Sequence, residues 1–166
     1  MIYAGIGRRN CPLKIQNVMT KFAQKMDRLG WTLRSGGAKG SDEAFEQGAT
    51  KKEIFKKGKA EPWALEELKQ CLPYYLKNID LLANYIQNTL ARNMMIVLGK
   101  EGNEPVQFIL AYADTFDMGG TGYGVRCAKK RDIPIFNLFD EKTFLLVESF
   151  LILDEDDGRD FIAFIK

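Results

Sequence analysis

The sequence predicts an α/β fold, a three-layer sandwich around a mostly parallel central sheet. Two observations carry that reading. Short apolar runs alternate with amphipathic stretches of helical period along the whole chain. Three of those runs end in glycine-rich loops, Gly5 to Arg9, Ser35 to Asp42 and Asp117 to Gly122. In a doubly wound sheet, loops at the carboxyl ends of the strands line one edge and converge at the switch point.

The elements follow in order. Met1 to Ile6 is a first strand. Pro12 opens a helix with Ile15, Val18, Met19, Phe22, Met26 and Leu29 on the 3.6 period, and Gly30 ends it. Trp31 to Leu33 is a second strand, whose glycine-rich turn leads into a helix reaching about Gly48. Glu53-Ile54-Phe55 reads as a third strand, followed by a basic loop from Lys56 to Ala60. From Glu61 to Asn93 the spacing of Leu65, Leu68, Leu72, Ile79, Leu82, Ile86 and Leu90 is helical, with Pro73 dividing two helices. The second runs on through Met94, Met95, Val97 and Leu98 to Gly99. Pro105 to Ala113 is a buried strand ending at Asp114. A helix with Val125, Ala128 and Lys129 follows the third loop, and Ile133 to Asn137 is the last central strand. Residues 141–153 suit a helix. The acidic run Asp154 to Asp157 reads as a turn before a packed element with Phe161, Ile162, Phe164 and Ile165. The whole is expected to be one domain, 1–166, with a helical insertion at about 61–90.

Composition narrows the function. The chain has 166 residues, enough for a full core, and 24 basic against 22 acidic residues leave a net charge of +2. That balance excludes nucleic-acid binding by bulk electrostatics, so DNA binding is expected to be weak and to need a local patch. Arg8-Arg9 cut short the apolar opening, so no signal peptide is expected, and no apolar run has the length of a membrane span. Cys11, Cys71 and Cys127 are far apart and outside any CxxC pair, which favours free thiols and a cytoplasmic location. There is no histidine, which removes the commonest general base and the commonest metal ligand. No metal and no cofactor are expected, and homo-oligomerisation is left open.

The loops carry the chemistry. Glycines at 36, 37 and 40 permit positive φ and remove Cβ atoms that would hold a ligand away. Ser41 or Asp42 caps the helix that follows, beside N–H groups suited to phosphate. Arginines Arg8, Arg9, Arg92 and Arg126 flank the loops, and a guanidinium grips phosphate through paired hydrogen bonds. The candidate ligand-binding set is therefore Gly5, Gly7, Arg8, Arg9, Ser35, Gly36, Gly37, Ala38, Asp42, Arg92, Asp114, Gly119, Gly120, Thr121, Gly122 and Arg126. Ser35 and Ser41 have no histidine partner, which argues against a serine nucleophile.

Five segments resemble the SLOG superfamily of small phage and bacterial proteins, whose members include the DNA-processing protein DprA (Smf) and the LOG phosphoribohydrolases. They are Met1-Ile2-Tyr3-Ala4-Gly5-Ile6-Gly7 with Arg9 and Pro12; Trp31 to Ala38 with Gly40, Asp42, Ala44, Phe45, Glu46 and Gly48-Ala49; Ala91-Arg92-Asn93; Gly119-Gly120-Thr121; and Ile133 to Leu138. The resemblance implies a Rossmann-like fold and a ligand that is a nucleotide or a nucleotide-derived molecule of the ADP-ribose type. It also implies a phosphate-binding role for Arg92. LOG enzymes carry a Pro-Gly-Gly-x-Gly-Thr-x-x-Glu loop, and aligning its glycines puts Met118 at the proline, Tyr123 at the threonine and Arg126 at the catalytic glutamate. A cation there cannot stabilise an oxocarbenium-like centre. The resulting expectation is a binding protein that senses or sequesters a phosphate-bearing nucleotide. The alternatives are a nucleotide N-glycosidic hydrolase using Asp42, Glu43 or Asp114, and a DprA-like binder of single-stranded DNA.

Overall fold

The computed structural model describes residues 1–117, 119–153 and 160–165. Five parallel strands form the sheet: β1 (Ile2–Gly7), β2 (Thr32–Ser35), β3 (Lys52–Ile54), β4 (Ile109–Tyr112) and β5 (Ile135–Asn137), in the order β3-β2-β1-β4-β5. The direction of winding reverses at β1, so the switch point lies between β1 and β4. Helices α1 (Leu13–Arg28), α2 (Ser41–Gly48), α3 (Pro62–Gln70), α4 (Asn84–Leu98), α5 (Gly119–Lys129), α6 (Glu141–Ile152) and α7 (Phe161–Phe164) cover the sheet. The expected Rossmann-like three-layer architecture is the observed one.

Strand alternation decides which helices lie where. Tyr3, Leu33, Phe108 and Leu110 face α1, α2, α6 and α7, in a core rich in aromatic rings that includes Phe22, Trp31, Phe150 and Phe161. Ala4, Ile6, Ile109 and Ala111 face the other way, onto α3, α4 and α5. Successive side chains in a strand point to opposite faces, so each strand feeds both cores. The second half of α4, Ala91 to Leu98, is buried throughout because α3, α5 and the sheet enclose it. A helix apolar on all sides is one with no solvent face.

Boundaries differ from the sequence reading where backbone pairing, rather than apolarity, sets them. β4 occupies only the end of the apolar run from Pro105, although Gln107 and Phe108 already bond to β1 through Gln107 N–H to the Ile2 carbonyl and Ala4 N–H to the Phe108 carbonyl. The helix beyond Pro73 starts at Asn84, after a short 3₁₀ turn at Ile79–Leu81. Arg92 sits inside α4, within the helical run that the sequence predicts to reach Gly99. The acidic turn expected at 154–158 and Met118 of the third loop lie outside the described residues. Among the described residues, no helix is long and apolar enough to cross a membrane.

All three cysteines are free thiols. Two of them nonetheless meet, because α3 and α5 pack together. A hydrogen bond from the Cys127 thiol to Cys71 lowers the pKa of Cys71, while that bond and burial raise the pKa of Cys127.

Candidate functional site

The carboxyl ends of β1, β2 and β4 open into a cleft of about 630 Å³. Its lining includes Gly7, Arg8 and Arg9 after β1, Ala38 and Asp42 around the second loop, and Ala113, Asp114 and Thr115 after β4. Gly119, Gly120 and Thr121 of the first turn of α5 also line it, as do Thr89, Leu90, Arg92 and Asn93 of α4 and Lys57 from the loop beyond β3. The first backbone N–H groups of a helix have no partner within it, and the start of α5 presents such donors at the cleft wall.

The loops are stitched to one another. Arg8 N–H donates to the Tyr112 carbonyl at 3.0 Å, and Ser41 Oγ donates to the Arg8 carbonyl at 2.9 Å. Gly40 adopts φ +85°, and a Cβ there would overlap the Arg9 carbonyl, so only glycine permits this close approach. Asp42 spans both loops. Its Oδ1 accepts from Gly7 N–H at 3.2 Å and its Oδ2 from Ala38 N–H at 3.3 Å. On the far side, Asn137 at the end of β5 holds the backbone of Ala113 through two hydrogen bonds, 3.2 and 2.8 Å, fixing where Asp114 emerges. Asp114 forms an ion pair of 3.0 Å with Arg8.

Arg92 is the unusual group. The residue is 7% exposed, and its Nε and Nη1 are buried without a hydrogen-bond partner. Thr89 Oγ1, one helical turn earlier on the same face of α4, is in the same condition. Burial lowers the pKa of Arg92, Asp42 opposes that shift, and Arg9 adds to it. Asp42 is itself buried, which raises its pKa to about 6 against the pull of Arg92 and the two backbone N–H groups. The cleft thus gathers Arg8, Arg9, Lys57 and Arg92 against Asp42 and Asp114, a surplus of positive charge.

Several glycines of the predicted set serve the protein's own packing. A Cβ at Gly36 would overlap Arg92 Nη1 and come within 2.7 Å of Asp42 Oδ2, so the space it leaves is filled by the guanidinium. A Cβ at Gly5 would lie 2.5 Å from Phe45, and one at Gly122 would overlap the Phe116 carbonyl. Gly5, Ser35, Gly36, Gly37, Gly122 and Arg126 are not among the lining residues. Ser35 Oγ donates to the Gly5 carbonyl at 2.7 Å. Arg126 lies against the Tyr123 ring and donates from Nε to the Cys71 carbonyl at 2.8 Å and from Nη1 to the Phe116 carbonyl at 3.1 Å.

DNA processing protein A from Helicobacter pylori superimposes on 99% of this chain, over 78% of its own, with a TM-score of 0.52 and 19% sequence identity. The two share a fold. That structure was analysed for the single-stranded DNA binding mode of the Helicobacter protein. No family model matches this sequence, and no curated protein does.

Beyond the predicted set, the cleft is lined by Ile6, Lys57, Thr89, Leu90, Asn93, Ala113 and Thr115. One signal was available: Thr89 and Arg92 are three apart in a helical pattern, and that spacing puts them on one face. Lys57 belongs to the basic loop read at 56–60, which follows β3 at the sheet edge beside β2 and reaches the cleft. Glu43, one of the proposed general bases, is exposed and absent from the cleft lining.

Proposed function

We propose that this chain binds the phosphate of a nucleotide or nucleotide-derived ligand in the switch-point cleft, and so senses or sequesters that ligand. The buried guanidinium of Arg92, with two nitrogens that have no hydrogen-bond partner, carries the reading. Leaving buried donors unsatisfied costs about 1–3 kcal/mol each, and a phosphate oxygen supplies the missing acceptor through a charge-assisted bond. Thr89 Oγ1, the first turn of α5 and the cations Arg8, Arg9 and Lys57 are arranged to help. Asp42, with both oxygens committed to backbone N–H groups, acts on this reading as a tie between loops rather than as a catalyst.

Calorimetry with AMP, ADP-ribose and inorganic phosphate tests the proposal. Binding of at least one nucleotide, displaced by phosphate, is the expected result, and no binding of any of the three overturns it. The hydrolase alternative makes its own forecast. Chromatography after long incubation with AMP, GMP and CMP is expected to show no free base, whereas turnover on the order of 1 per second would make the chain an enzyme.

The fold likeness to DNA processing protein A favours one second reading, in which the phosphate belongs to single-stranded DNA. Lys57 at the cleft, with the exposed lysines Lys56 and Lys59 next to it in sequence, suits a backbone track. Fluorescence anisotropy of a labelled oligothymidylate across a salt series separates the two. Submicromolar affinity with a steep salt slope supports DNA, and weak binding favours the free nucleotide.

A further inference from the structure

We propose that Glu67, Cys71 and Cys127 form a site for one thiophilic divalent cation of the zinc type, which clamps α3 to α5. The site lies outside the cleft and is independent of the nucleotide reading.

The geometry points to a metal in three ways. A carboxylate oxygen of Glu67 and the two sulfurs all lie within 4.8 Å of one another. Cys71 Sγ and Glu67 Oε1 are 3.6 Å apart. Zinc–sulfur and zinc–oxygen bonds of about 2.3 and 2.1 Å meeting at a tetrahedral angle separate their ligand atoms by about 3.6 Å. The ligands are also delivered from regular structure. Glu67 and Cys71 are one turn apart at the end of α3, and Cys127 is on α5.

The surroundings fit as well. Arg131, one turn beyond Cys127, donates to both oxygens of Glu67 at 2.9 Å and reaches Cys127 Sγ at 3.5 Å. Lys130 Nζ is 3.9 Å from Glu67. Two thiolates and a carboxylate around a divalent ion carry a net charge of −1, which these cations offset while hydrogen bonds to the ligand atoms orient them. Both cysteines are buried, so a bound ion is held away from bulk water. Each thiol gives its proton to solvent as the metal–sulfur bond forms, so loading releases two protons. Three protein ligands leave the fourth tetrahedral position to a water molecule.

Titration of the reduced 166-residue chain with Co²⁺ reads the site directly, because thiolate ligation produces sulfur-to-metal charge-transfer absorption and tetrahedral geometry intensifies the visible bands. We expect saturation at one equivalent, displacement by Zn²⁺, and a melting temperature raised by Zn²⁺. Cys71→Ser and Cys127→Ser are expected to abolish the charge-transfer band. Cys11→Ser, in the opposite core, leaves it unchanged. Glu67→Gln is expected to weaken binding about tenfold or more. Absence of the charge-transfer band in the reduced wild-type chain overturns the proposal, whatever the stability of the variants, and so does a band that persists in Cys71→Ser/Cys127→Ser.

Discussion

Two buried guanidiniums lie close to β2, one on the strand and one against Gly36 just beyond it, in regions built to opposite ends. Arg34, on β2, is 1% exposed and fully engaged: Nε pairs with Glu53 at 2.6 Å, Nη2 with Glu104, and Nη1 with the Glu104 carbonyl. It ties the β2–β3 edge of the sheet to the loop after α4. Arg92 is nearly as buried, yet two of its nitrogens have no partner. The protein spends acceptors on the first and withholds them from the second. A buried guanidinium with its donors bonded holds structure together, whereas buried donors without acceptors are a standing cost that a ligand can relieve.

The largest expected effect breaks the first member of the pair. Arg34→Ala should destabilise the fold by about 3 kcal/mol, the lower end for a broken buried pair because Glu53 and Glu104 remain 45% and 63% exposed and can return to water. Urea melts check this, and nucleotide affinity of the folded fraction should not change. A loss below 1 kcal/mol would make Arg34 no anchor.

Asp42 probes the second region through pH. Its pKa of about 6 in the folded chain exceeds the unfolded value of about 3.9, so the native state binds the extra proton between those values. The stability this contributes is fully present below about pH 4 and is lost as pH rises through about 6, a difference of at most 2–3 kcal/mol. Asp27, whose pKa is lowered by hydrogen bonds from Lys51 and Thr50 at an exposed site, acts in the opposite direction. Comparing urea melts of wild type and Asp42→Asn from pH 4 to 7 isolates Asp42. The stability difference between the two chains should move toward the variant as pH rises, and a constant difference refutes the assignment.

Arg92→Met sharpens the contrast. Stability should fall by less than in Arg34→Ala, since two nitrogens of Arg92 have no hydrogen bond to lose and Asp42, deprived of the nearby charge, keeps its two backbone N–H bonds. Affinity for the nucleotide found by calorimetry should fall tenfold to a hundredfold, about 1.5–3 kcal/mol. Unchanged affinity would dissolve the distinction between the two arginines. The smallest effect belongs to the Arg8–Asp114 pair at the rim. Both side chains are substantially exposed, so Asp114→Asn should change the melting free energy by less than about 1 kcal/mol.

The sequence by itself determined the alternation of strands and helices, the parallel sheet, and the convergence of the Gly7, Ala38 and Gly119 loops on one edge. These depend on local information: apolar period, glycine at turns, and the crossover rule for parallel strands. The helical run through Arg92 was legible too, but its consequence was not. Only the packing of α4 against the sheet turned Thr89 and Arg92 into the cleft and brought Arg92 into the space left by Gly36. The same holds for Arg126, which the glycine alignment put at a catalytic position and which the packing of α3 on α5 commits to the Cys71 and Phe116 carbonyls. Cys71 and Cys127, unrelated by any sequence spacing, meet through that same contact. Local chemistry decides what each segment becomes. Which side chains face one another depends on sheet order and helix rotation, and these are settled only when all the apolar faces are buried together.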